Sequence, residues 1–162
     1  MKKVAAIAVA SVLIVMNGKA IAATATGTLG VTLTIAATCT VTGGTMAFGT
    51  QGVLTSAINQ TATISVVCTN STNYTVGLDQ GTFGSSVTAR KMHSTTTGAD
   101  VDYSLYSDGG RTTNWGNTSG SWVSGTGTGT SQSLTIYGQI PAQTTPAPAA
   151  DYTDSVTITV TY

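Results

Sequence analysis

The chain has 162 residues, of which only 7% are charged; six cations balance six anions, and there is a single histidine. Charge this sparse excludes the basic patch that draws nucleic acid or an anionic membrane. One histidine and two cysteines with no Cys-x-x-Cys spacing likewise exclude a plausible zinc site.

The first residues read as an export signal. Lys2 and Lys3 precede an apolar run from Val4 to Met16, Asn17-Gly18 breaks that run, and Ala20-Ile21-Ala22 places small residues where a signal peptidase reads. Cleavage is expected after Ala22, because the run falls short of the roughly 20 apolar residues a membrane-spanning helix needs. The remainder carries Arg90, Lys91 and Arg111 against six aspartates, a formal charge of −3. Ser, Thr and Gly supply its surface, which therefore lacks the charges that normally guard strand edges.

From Ala23 the sequence ATATGTLGVTLTI alternates, with Leu29, Val31, Leu33 and Ile35 on one face of an extended chain and Gly30, Thr32 and Thr34 on the other. Two readings fit this stripe: the first strand of a self-contained sandwich, or a strand donated to a neighbouring molecule. Cys39 and Cys68 follow, and an even cysteine count in an exported chain predicts one disulfide. Such a crosslink is worth about 3 to 4 kcal/mol on the loop-entropy model.

Further along, short strands are predicted at Thr38 to Thr42 and Met46 to Phe48, on either side of Gly43-Gly44. Longer alternation follows over Thr61 to Thr69 and Tyr74 to Asp79, then candidate strands at Val87 to Ser94 and Val101 to Ser107. The tract Asp108 to Thr130 reads as turns, with Trp115 and Trp122 as core anchors and Gly125 to Thr130 as a flexible link. Order returns with Leu134, Ile136 and Ile140 up to Pro141, and the terminal run Ser155 to Tyr162 places Val156, Ile158, Val160 and Tyr162 on one face. Many short strands, frequent turns and no helix predict an all-β, immunoglobulin-like antiparallel sandwich.

Enzymatic candidates are thin. His93 lies in a strand-like segment with no nucleophile signature and reads as a surface or rim histidine. Asp151 and Asp154 flank the terminal strand and read as turn caps rather than an acid–base pair. Gly125-Thr126-Gly127-Thr128-Gly129 has no following lysine and is not a phosphate loop. Four Asn-x-Ser/Thr matches, at Asn59, Asn70, Asn73 and Asn117, are what chance provides in a chain this rich in hydroxyls. No catalytic residue, metal or cofactor is assigned.

A set of segments carries a family resemblance. Cys39-Thr40-Val41, Phe48-Gly49, Val66-Val67-Cys68, Tyr74-Thr75-Val76-Gly77-Leu78-Asp79, Tyr103-Ser104-Leu105-Tyr106, Tyr137-Gly138-Gln139-Ile140-Pro141 and the ending from Asp151 to Tyr162 together resemble the spore coat protein U-like family. Within it the chain looks most like the Csu-type subunits of archaic chaperone-usher pili. The resemblance implies a sandwich missing one strand, completed by a donor strand from a neighbour, and hence a non-enzymatic pilin exported through the periplasm to the cell surface. It implies three segments: a signal peptide (1–22), a donor extension (23–36) carrying Leu29, Val31, Leu33 and Ile35, and a pilin domain (37–162). In that domain Val156, Ile158, Val160 and Tyr162 would form one wall of the acceptor groove. The implied partners are identical subunits in a head-to-tail homopolymer, a periplasmic chaperone, an outer-membrane usher, and minor and tip subunits, in a fibre serving adhesion and biofilm formation. A coat protein of the same fold that uses no usher, and a self-contained carbohydrate-binding sandwich, are the alternatives.

Overall fold

The structure, a computed structural model, describes residue 19 and residues 21–162. The predicted signal peptide therefore falls almost wholly outside the described residues. Residues 21–34 carry no secondary structure and are exposed throughout.

Residues 35–162 hold eight strands: β1 (Cys39–Thr42), β2 (Ile58–Cys68), β3 (Asn73–Leu78), β4 (Arg90–His93), β5 (Asp100–Tyr106), β6 (Val123–Thr126), β7 (Ser131–Ile140) and β8 (Ile158–Thr161). They form a five-stranded sheet in the order β1-β2-β7-β5-β4 and a three-stranded sheet in the order β6-β3-β8, with every pairing antiparallel. This is the predicted all-β sandwich. Period-two burial builds it: Ile64, Val66 and Cys68 of β2, Val101, Tyr103 and Leu105 of β5, Ile136 and Ile140 of β7, and Tyr74, Val76 and Leu78 of β3 are all buried. The outward residues of the long strands are mostly Thr, Ser, Asn and Gln, as in the pairs Thr63–Thr135 and Ser65–Ser133.

Two large hydrogen-bonded side chains complete the core. Arg90 is fully buried, and its guanidinium donates to the carbonyls of Asp79, Val87, Leu78 and Trp115 at 2.8 to 3.0 Å, which satisfies the group without a direct carboxylate partner. Trp115 is buried beside it and donates from Nε1 to the Val76 carbonyl. Trp122, expected as a second anchor, is instead 40% exposed.

Several predicted elements change. Met46 to Phe48 is not a strand; it crosses the inner face of the sheet, and its Met46 and Phe48 side chains fill the space over Gly138 where a Cβ would stand. Gly125 to Thr130 is not wholly a link, since Gly125 and Thr126 belong to β6. A glycine there lets the Tyr74 ring lie against the β6 backbone, a packing reason that loop-like composition conceals. The strand expected over Val87 to Ser94 shortens to Arg90–His93, because Ser86 and Ala89 close a tight turn first. The terminal strand shortens to Ile158–Thr161, because β3, its ladder partner among the described residues, ends at Leu78.

Candidate functional site

β2 and β7 run 11 and 10 residues, whereas β3 and β8, which face them, run 6 and 4. The short sheet cannot cover the long one, and a groove of about 370 Å³ is left over the uncovered part. Its floor is the inner face of the long sheet, including Ala62, Ile64, Ile136, Leu105 and Met92. One wall is the crossover from Gly44 to Phe48; the other is the run from Tyr152 to Ile158. The groove is an opening in the hydrophobic core itself, since Ile64, Leu78, Leu105 and Ile136 belong to both.

The Tyr152–Ile158 wall is held from outside. The backbones of Thr153 and His93 exchange two hydrogen bonds of 2.9 and 3.1 Å. The Asp151 carboxylate accepts from the hydroxyls of Ser94, Thr95 and Thr96 and from the Thr96 amide, and these bonds, led by Ser94, hold it well below the ordinary carboxylate range. Asp154 accepts from the Tyr103 hydroxyl at 2.6 Å and from the Thr82 amide at 2.8 Å. Burial and the bond to Asp154 push the Tyr103 phenol well above its usual range. Although burial works the other way, bonds from Thr157 and Gly81 hold the Asp79 carboxyl low. Asp151 and Asp154 thus act as separate turn caps.

On its inner side the same run packs Tyr152, Val156 and Ile158 against the core, half-buried where they border the groove. β8 is an edge strand, paired with β3 on one side only, and β1 is the edge of the other sheet. Edges of this kind offer a row of unpaired amides and carbonyls. Ile158, at the start of β8, borders the groove, and an apolar groove beside a strand edge is the geometry in which an extended peptide gains main-chain bonds for affinity and pockets for its alternate side chains.

Of the predicted wall residues, Val156 and Ile158 line the groove. Val160 packs against the core outside it, and Tyr162 is 58% exposed over a separate shallow depression beside Asn73 and Thr126. The donor-stripe residues Leu29, Val31, Leu33 and Ile35 are 88, 84, 84 and 76% exposed. Cys39 and Cys68 form the disulfide, at directly opposed positions of β1 and β2. His93 sits at a rim, with Nδ1 2.8 Å from Asp100 and its ring against Phe83. Sequence reasoning missed Met46, Phe48, Met92, Tyr103 and Tyr152 as groove residues. Alternation in β5 was the available signal for Tyr103; the crossover residues offered none.

Residues 25–159 match the Spore Coat Protein U domain family. The chain is 34% identical to "Protein U" of Myxococcus xanthus over 174 aligned residues, covering 98% of this chain and 96% of that one. A chain of the chaperone–tip adhesion subunit pre-assembly complex, CsuC–CsuE, from the archaic chaperone-usher Csu pili of Acinetobacter baumannii shares the fold at a TM-score of 0.57 and 22% identity. That match covers 80% of this chain and 40% of the other.

Proposed function

The chain belongs to the Spore Coat Protein U domain family, a family of structural, non-enzymatic proteins, and from that premise we propose that it is a pilin polymerised by donor-strand exchange. The observation that carries the proposal is the groove of about 370 Å³ opening into the core, in a chain whose residues 29–35 form an exposed apolar stripe. The 23–36 extension of one molecule enters the groove of the next, laying Leu29, Val31, Leu33 and Ile35 over Ile64, Ile136 and Leu105. Burying four such side chains gains roughly 6 to 12 kcal/mol before ordering costs are subtracted. Donor and acceptor lie on different parts of the chain, so the contact is head-to-tail and makes an open filament of identical subunits.

The rest of the assignment follows the same logic. A groove of exposed core must be covered before assembly, which suits a periplasmic chaperone, with hand-over at an outer-membrane usher after residues 1–22 are removed. Minor and tip subunits, surface display, and a role in adhesion and biofilm formation complete the reading. The family's description favours a second reading, a subunit of a coat layer that assembles without an usher. Electron microscopy of cells separates the two, since a pilus gives fibres and a coat gives a continuous layer.

The decisive experiment compares residues 23–162 with a variant whose 23–36 segment is moved behind Tyr162 through a flexible linker. Size-exclusion chromatography with light scattering is expected to give polymer for the first and a stable monomer for the second. Two equally stable monomers would mean that the sandwich is complete in itself, and the proposal would fail.

A further inference from the structure

Beyond residue 22 the chain has two methionines, Met46 and Met92, and both line the groove. They arrive from different elements, Met92 from β4 opposite Val101 and Met46 from the crossover above Gly138. Both are half-buried rather than sealed, so in the unfilled subunit their thioethers border a cavity open to water. Both cysteines are already joined, which leaves these two sulfurs as the oxidisable ones after residue 22.

Resting on the donor-strand reading above, we propose that Met46 and Met92 form a peroxide-sensitive modification site that decides whether the groove can be filled. A hydroperoxide transfers one oxygen atom to each thioether. Its O–O bond breaks, sulfur is oxidised by two electrons to the sulfoxide, and the peroxide is reduced to water or an alcohol. The product sets a strong hydrogen-bond acceptor where Leu and Ile side chains must pack. The Tyr103 hydroxyl, which reaches the groove from β5 in its floor, already donates to Asp154 and is not available to satisfy it. An incoming strand would leave the sulfoxide oxygen buried and unpaired. In the other direction, a seated strand excludes water and peroxide from both sulfurs. The unassembled subunit is therefore the vulnerable form, and the filament is the resistant one.

The test uses the exported chain, residues 23–162, kept monomeric in urea, treated with hydrogen peroxide until mass spectrometry shows both sulfoxides, and then returned to native buffer to polymerise. Polymer yield is expected to fall about tenfold or more per buried unpaired oxygen. The Met46→Leu/Met92→Leu variant, which keeps apolar volume, is expected to polymerise as well after peroxide as before. Preassembled polymer is expected to form both sulfoxides about tenfold more slowly than the folded, monomeric Leu33→Asp chain. Undiminished polymerisation of the oxidised chain, an equal loss in the double variant, or equal oxidation rates in monomer and polymer would each overturn the site. Failure of the untreated chain to polymerise is a different result and overturns the donor-strand reading beneath it.

Discussion

Two stripes in this chain share one pattern and differ in fate. Leu29, Val31, Leu33 and Ile35 alternate with small or hydroxylated residues and stand 76 to 88% exposed. Val156, Ile158 and Val160 alternate with threonines in the same way, yet each is half-buried against the core. Periodicity states which face is apolar and does not state whose core will cover it. The later stripe is covered by its own chain because β3 pairs with it and because Asp79, Asp151 and Asp154 cap the turns around it. The earlier one lies outside every strand among the described residues.

The contrast can be broken by placing the same change in each stripe. Ile158→Asp sets a carboxylate against the core and is expected to destabilise the subunit by about 3 kcal/mol or more in urea unfolding. Leu33→Asp is expected to leave monomer stability within about 0.5 kcal/mol while abolishing polymer in light scattering. Normal polymer from Leu33→Asp would remove the earlier stripe from the interface. Next in size is the disulfide. Replacing Cys39 and Cys68 by Ser opens a loop spanning a sequence separation of 29 and is expected to cost about 3 kcal/mol, read as a lower thermal midpoint of monomer.

Smaller changes sharpen the comparison at the groove wall. Tyr103→Phe removes the bond to Asp154, which keeps its Thr82 and Ser155 partners, and an expected loss of about 1 kcal/mol is measurable by denaturant titration. Asp151 gives the gentlest effect, and its sign follows from linkage. Its carboxyl is held lower in the folded state than the unfolded value near 3.9, so the folded state binds fewer protons. That stabilisation is complete above the unfolded value and is lost as pH falls below it toward the folded value. Wild-type stability is therefore expected to fall more steeply below about pH 4 than that of Asp151→Asn.

Much of the fold was legible because most strands alternate without interruption. β2, β3, β5, β7 and the terminal run were readable from Ile64, Val76, Leu105, Ile136 and Ile158 and their period-two neighbours. β6 was hidden because Gly125 serves Tyr74 across the sheet, and that demand leaves no local trace. Trp122 and Trp115 illustrate the same limit: both are large aromatics between turns, yet one finds the Val76 carbonyl and a buried place while the other stays exposed.

By itself the sequence determined the sandwich class, the single disulfide pair and the two apolar stripes, because these follow from side-chain period and residue count along a local stretch. Tertiary structure alone decided where the core stays open. The groove exists because β3 and β8 are shorter than β2 and β7 opposite them, a mismatch between segments far apart in the chain. It also brought Met46 and Met92 to the same opening, since only packing can bring two such distant positions together.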